Sequence, residues 1–346
     1  GLSAAGSWLA ERSVCAASTT RINAMLRTPN ILLAVIAILV SGWSEPALAE
    51  TADAPEQKAI LITGASSGIG RNIAETLASK GYFVYAGARK QADLDELNKI
   101  PNIQSVRLDV TRQDEIDAAV ETVRAGGKGL YGLVNNAGVL TLGPITEIEE
   151  DELSWILDVN LMGVYRVTKA FAPLIIESQG RICNISSIAG VLSSRFWAPY
   201  NISKHAIESY TDDLAAEMEL FGVEVSAINP GNYKSRIGTR EAAVLAKKPY
   251  AQPGSPYAEH IAADIEYMSD RSMYKEPDEV TAAVIDALFA PDPKPNYLVV
   301  PNQTEADWTI RKLIEELAEM NADHAYTYSD EELIQMLKEA TAAQRR

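Results

Sequence analysis

The sequence predicts an α/β fold: a doubly wound parallel sheet of about seven strands in a single domain, followed by a C-terminal helical extension. Three observations carry this. Short runs apolar throughout alternate with segments of helical period from Lys58 onward. A glycine-rich turn, Thr63-Gly64-Ala65-Ser66-Ser67-Gly68-Ile69-Gly70, joins the first strand-like run to the first helix-like one. No internal repeat and no second pattern of elements interrupts the alternation.

The strands are expected at 59–63, 83–86, 103–108, 130–134, 181–185, 223–228 and 297–300. A helix is expected from Ile69 to Ser79, closed by Gly81. Ile116, Ala119, Val120 and Val123 recur at helical spacing. Further helices are expected over 151–178, 199–221 and 277–290. Residues 231–275 are rich in Pro, Gly, Tyr and charge, and read as a loop-and-helix insertion over a site. Two helix-like segments, around Ile310–Met320 and Glu331–Ala340, make up the extension of residues 301–346.

The chain has 346 residues, enough for a sizeable core, with 47% hydrophobic and 23% charged residues. A net charge of −16 disfavours nucleic acid as a partner and reads first as solubility. Only two cysteines, Cys15 and Cys183, exclude a disulfide framework. With three histidines besides, little remains for a transition-metal site, and no metal is expected.

Residues 1–57 read as a targeting segment outside the fold. Arg21 and Arg27 precede the apolar run Ile31–Val40, and Pro46-Ala47-Leu48-Ala49 supplies a cleavage site after Ala49. The run is short for a membrane span. A membrane anchor and an unused leader are the alternatives, so the expected locations are the periplasm, a membrane surface or, with the segment unused, the cytoplasm. Met25 would place the signal at the usual distance from the N-terminus, making residues 1–24 an over-extension.

In the glycine-rich turn, Gly64, Gly68 and Gly70 allow a tight bend and close approach of a pyrophosphate, with the following helix pointing its positive end at it. Ser66, Ser67 and Ile69 lie in the same turn. The spacing TGxxxGIG resembles the short-chain dehydrogenase/reductase family, in its shorter branch, whose fold is Rossmann-type. The second strand ends Ala88-Arg89, where an acid would select NAD; a guanidinium there suits a 2′-phosphate, so NADP is expected over NAD. Asp109-Val110 resembles the family's adenine-contacting pair. Asn135-Asn136-Ala137-Gly138 resembles its NNAG motif, in which Asn136 could serve only to support the sheet while Ala137 and Gly138 leave room for cofactor.

Tyr200 and Lys204 stand four apart on one helix face. The cation is expected to lower a phenol pKa that is otherwise near ~10, and to hold the nicotinamide ribose. Tyr165 and Lys169 repeat the spacing, but inside the preceding long helix, so Tyr165 is read as structural. Tyr200 instead follows the fifth strand and Ser186-Ser187, at the edge where open α/β sheets bind ligands. The resemblance makes Ser187 the serine that stabilises the substrate oxygen, with Ser186 its easily confused neighbour. It makes Asn160 the asparagine of a water and lysine proton relay. Asn229-Pro230-Gly231 resembles the nicotinamide-side PG motif. The threonine usual after it is missing, and Ser235 is the candidate replacement.

The resemblance spans residues 58–300 and implies reversible hydride transfer between NADP(H) and an alcohol or carbonyl substrate. A noncatalytic NADP-binding or sensing protein, and an epimerase or dehydratase on the same fold, are the rival readings. Leu192, Phe196 and Trp197 suggest a partly apolar pocket for a lipophilic small molecule, in analogy to family members acting on retinoids and hydroxysteroids. The long helices resemble those of the family's dimer interfaces, so a homo-oligomer, dimer or tetramer, is expected. Membrane contact is expected only through the N-terminal segment.

Overall fold

The computed structural model describes residues 57–270 and 272–343, all within one compact unit. The targeting segment 1–57, apart from Gln57, and the cleavage site after Ala49 lie outside the described residues.

Seven parallel strands form one sheet: β1 (Ala59–Ile62), β2 (Phe83–Ala88), β3 (Ile103–Arg107), β4 (Gly132–Asn135), β5 (Arg181–Ile185), β6 (Glu224–Pro230) and β7 (Asn296–Val299). Their order is β3-β2-β1-β4-β5-β6-β7. The chain therefore winds outward from β1 in one direction, then returns and winds in the other. The reversal opens a crevice beyond the carboxyl ends of β1 and β4, where such sheets bind ligands.

Burial explains the unbroken apolar strands. Ile60 and Ile62 of β1 face one core, with α1 (Gly68–Ser79) and α9 (Asp278–Phe289). Ala59 and Leu61 face the other, with α3 (Gln113–Ala125) and α5 (Gly163–Glu177). A strand covered on both faces has no solvent side to mark with polar residues. Helix α1 buries Gly70, Ile73, Ala74, Leu77 and Ala78, the stripe its helical period predicts.

A short helix that the sequence reading did not mark, α2 (Gln91–Leu97), precedes β3. The region expected as one helix over 151–178 is two, α4 (Glu150–Leu157) and α5, joined by a π-helical turn at Asp158–Met162. Helix α6, which carries Tyr200 and Lys204, runs Ala198–Met218. The insertion holds α7 (Ile237–Leu245) and α8 (Ala258–Ser269), and the extension holds α10 (Gln303–Asn321) and α11 (Asp330–Ala343).

Candidate active site

The glycine-rich turn is a built cradle. Gly64 and Gly68 have φ of +67° and +59°, conformations that side chains disfavour. A Cβ on Gly64 would lie 2.8 Å from the Ala137 Cα, and one on Gly70 would collide with the Asn136 amide. The turn after β1 is thus packed directly on the turn after β4. Thr63 and Asn136 fasten the two. The Thr63 hydroxyl accepts from the Asn136 and Ala137 amides at 2.9 Å each, and Asn136 Nδ2 donates to the Thr63 and Gly64 carbonyls at 2.9 and 3.2 Å. Asn136 therefore shapes the cradle by supporting its backbone. Thr63, 1% exposed, was not among the sequence-predicted site residues. Its signal was its place between the end of β1 and Gly64.

Gly64, Ser66, Ser67, Gly68, Ile69, Arg89, Asp109, Val110, Asn136, Ala137, Gly138, Pro230 and Gly231 all line one cavity of about 840 Å³. Gly70 lies just behind its wall, and Ser235 lines it too. This floor of small residues, close-packed turns and a helix N-terminus fits a dinucleotide. Arg89 reaches Asp109 across the rim at 3.5 Å. Burial favours the neutral form of the Asp109 carboxyl, but hydrogen bonds from Thr111 and the Arg89 charge outweigh it, so its pKa is lowered.

Ser187, Tyr200 and Lys204 line the same cavity. The Ser187 hydroxyl lies beside the Tyr200 phenol, donates to the Pro230 carbonyl at 3.5 Å and accepts from the Ala189 amide at 3.1 Å. Lys204 is buried, with Nζ donating to the Ile185 carbonyl at 2.9 Å and standing 5.6 Å from the centre of the Tyr200 ring. Burial pushes the Tyr200 phenol up to about 12, with the Ser187 hydroxyl pulling the other way. Burial also brings the Lys204 ammonium down to about 8, opposed by the Glu208 carboxylate. The expected lowering of the phenol by Lys204 is thus absent here. Both groups sit where any charge is poorly solvated, and the lysine is engaged with a carbonyl beyond the ring.

Ser186 also lines the cavity but is buried, its hydroxyl without a hydrogen-bond partner. Tyr165, 40% exposed, bonds Lys169 Nζ at 3.3 Å on an outer helix face and does not line the cavity. Asn160 sits in the π-helical turn, 1% exposed. Its amide clamps Val139, accepting from the backbone N–H at 2.8 Å and donating to the carbonyl at 2.9 Å, and donates to the Ser203 hydroxyl at 3.0 Å. Both amide protons are therefore committed to holding the loop after β4 against α6.

The outer cavity mixes apolar side chains with the charged Arg236, Arg240, Glu241 and Asp264. Leu140, Trp155, Leu192, Trp197, Val244, Met268 and Trp308 line it. Phe196, expected there, instead packs behind the wall, edge-on to Tyr257 and held at φ +69°. One buried acid faces this region, Glu241 of α7. Its Oε1 accepts from the Leu142 amide at 2.9 Å, and burial raises its carboxyl to about 7. Among the described residues no group of three or more His, Cys, Asp or Glu is arranged to hold a metal ion.

A sequence model for the family described as short chain dehydrogenase matches residues 58–244. The chain belongs to the short-chain dehydrogenase/reductase family. Its relatives include rat mitochondrial D-beta-hydroxybutyrate dehydrogenase, 35% identical over 268 residues, 71% of this chain and 78% of the relative. A match to the mouse protein of that name is 40% identical over 195 residues, 54% of this chain and 57% of that protein. Human retinol dehydrogenase 16 is 33% identical over 253 residues, 69% of this chain and 80% of that protein. A short-chain dehydrogenase from Streptomyces avermitilis superposes with a TM-score of 0.66 at 29% identity, covering 77% of this chain and 96% of that one. Two further solved relatives were crystallised with different cofactors. An actinorhodin polyketide ketoreductase with NADPH has a TM-score of 0.59 at 29% identity, covering 70% and 95% of the two chains. A Burkholderia phymatum protein with NAD has a TM-score of 0.63 at 25% identity, covering 79% and 98%. As a short-chain dehydrogenase/reductase, the protein is an NAD(P)-dependent oxidoreductase of alcohols and carbonyls.

Proposed function

We propose that this enzyme interconverts an alcohol and a ketone or aldehyde on a lipophilic small molecule, with NADP(H), using Asn160, Ser187, Tyr200 and Lys204. The observation that carries the reading is that Ser187, Tyr200 and Lys204 line one cavity with the glycine cradle. When bound in the cradle, the cofactor supplies or accepts the hydride.

The chain's own groups manage the proton and the oxygen. In reduction, Tyr200 donates its proton to the substrate oxygen as negative charge develops there. A phenol at about 12 is fully protonated at neutral pH and is ready to give that proton. Ser187 orients the oxygen and stabilises its charge. Lys204, still cationic at neutral pH, offsets the charge left on the phenolate and helps to restore its proton. Asn160 holds the loop after β4 and the turn of α6 carrying Ser203 in register with Tyr200.

Arg89 supports NADP over NAD. The end of β2 offers Ala88 in place of an acid, and the Arg89 guanidinium is half exposed beside the cradle, free to exchange its long contact with Asp109 for a 2′-phosphate. The apolar part of the outer wall, with Leu140, Leu192, Val244, Met268 and three tryptophans, supports a lipophilic substrate. Residues 58–300 would then be the oxidoreductase domain, with 231–275 its substrate segment and 301–346 a helical extension. Residues 1–57 remain our candidate for a secretory signal or anchor. The face of α4 to α6 exposing Trp155, Met162, Tyr165 and Ile202 is the proposed homo-oligomer surface.

The test is a substrate screen that follows NADPH absorbance against apolar ketones, aldehydes and alcohols. Turnover of apolar carbonyls supports the reading. NADPH binding without turnover across the panel would favour the noncatalytic sensor.

A further inference from the structure

The C-terminal extension is the one large element to which the reaction assigns no task. Its first helix nevertheless touches the site at two points. Glu305, in the first turn of α10, is 4% exposed. Its Oε2 accepts from the Asn232 amide at 2.8 Å, and its Oε1 accepts from Asn302 Nδ2 at 3.2 Å. Asn302 in turn caps the helix by accepting from the Glu305 amide at 3.0 Å. Among the described residues no cation forms an ion pair with this carboxylate. A buried carboxylate served only by N–H groups and a helix N-terminus is costly to keep, so its position is tightly specified.

What it specifies is the loop after β6. A Cβ on Gly231 would collide with Glu305 Oε2 and lie 3.1 Å from Pro301 Cδ and from Val300 Cγ1. The glycine is therefore the space into which α10 fits. The Gly231 amide is tied to the Val299 carbonyl at 2.8 Å, so β7 and α10 grip the loop from two sides. One residue earlier, the Pro230 carbonyl accepts from the Ser187 hydroxyl at 3.5 Å, and Ser187 lines the cavity with Tyr200. A continuous path runs from Glu305 through Asn232, Gly231 and Pro230 to Ser187. Three residues beyond Glu305, hence on the same helix face, Trp308 lines the cavity, and it alone of α10 and α11 does so among the described residues.

We propose that α10 is a working part of the active site: Glu305 is a positioning residue that fixes the Pro230–Asn232 loop and through it Ser187, and Trp308 is a specificity residue for bulky apolar substrates. The assignment rests on the proposed role of Ser187 in the reaction.

The test uses the full chain with Glu305→Ala, Glu305→Gln and Trp308→Ala. Four readouts are taken: kcat and KM on a small and a bulky ketone, NADPH affinity by fluorescence titration, the melting temperature, and amide hydrogen exchange over 229–235. Glu305→Ala should speed exchange in that segment and lower kcat on both ketones by roughly 10- to 100-fold, the cost of a displaced reacting group. Glu305→Gln, which keeps the acceptor for the Asn232 amide, should restore most of both. Trp308→Ala should raise KM for the bulky ketone by about tenfold, and by more than it raises KM for the small ketone. A Glu305→Ala variant that melts earlier but keeps kcat and slow exchange overturns the positioning role. A Trp308→Ala variant with both KM values unchanged overturns the specificity role. Faster exchange with unchanged kcat would place the fault in the role given to Ser187, while the grip of α10 on the loop would stand.

Discussion

Replacing Glu241 by Gln should stabilise this protein, and the gain should depend on pH. The Glu241 carboxyl is 7% exposed and is raised from 4.5 to about 7 by burial, with the Leu142 hydrogen bond opposing that only in part. Its folded pKa lies above its unfolded one. The protonated acid therefore costs nothing extra below 4.5, and stability is lost as pH rises through about 7, where the buried group must ionise. The full difference corresponds to about 3 kcal/mol above pH 7. A glutamine keeps the shape and an acceptor for the Leu142 amide but never ionises, so it avoids that loss. Urea denaturation of the two proteins should show the variant more stable by about 2–3 kcal/mol near pH 8.5 and little different near pH 4.5. A stability difference that is the same at both pH values would refute the reasoning. It would mean that the Glu241 carboxyl is solvated through the cavity and not desolvated by it.

Lys204, brought down to about 8, should impose a fall in the reductive kcat as pH rises through that value, because the charged form is lost above it. Removing the Glu208 charge with Glu208→Gln should move this limb to lower pH, and an unmoved pH–rate profile would contradict the assigned electrostatics. Arg89→Ala should lower kcat/KM for NADPH by about tenfold or more while leaving that for NADH little changed, read from steady-state kinetics with both cofactors. Tyr165→Phe, which removes only the outer tyrosine–lysine contact, should leave kcat within about twofold of the parent. Light scattering should find a dimer or tetramer, and Trp155→Glu with Tyr165→Glu should shift it toward monomer.

The sheet was legible because its strands are buried on both faces. Ala59–Ile62 carries no polar residue and Arg181–Ile185 only Arg181 and Asn184, and both runs start at the expected places. Helix α2 was not, since seven residues with only Leu94 and Leu97 buried leave too short a period to see. The π-helical turn at Asp158–Met162 was hidden for another reason. Its extra residue sets the phase of Asn160 against Val139, a tertiary contact that no local pattern encodes. In the site, the motif residues Gly64, Gly68, Ser187, Tyr200 and Lys204 line one cavity, whereas Tyr165, with the same spacing to a lysine, does not. Besides Thr63, two features escaped. The pKa of Tyr200 depends on how deeply both it and Lys204 are buried, which spacing does not reveal. Glu305 acts on a loop 73 residues away, and nothing in the helix it opens marks it as other than a first-turn acid.

The most direct test of the account is Tyr200→Phe, measured for NADPH binding and for reductive turnover side by side. Removing one hydroxyl leaves the glycine cradle and Lys204 in place, so NADPH affinity should stay within about threefold of the parent while turnover falls by roughly 1,000-fold or more. Turnover close to that of the parent, with NADPH binding intact, would contradict the central claim that Tyr200 carries the proton.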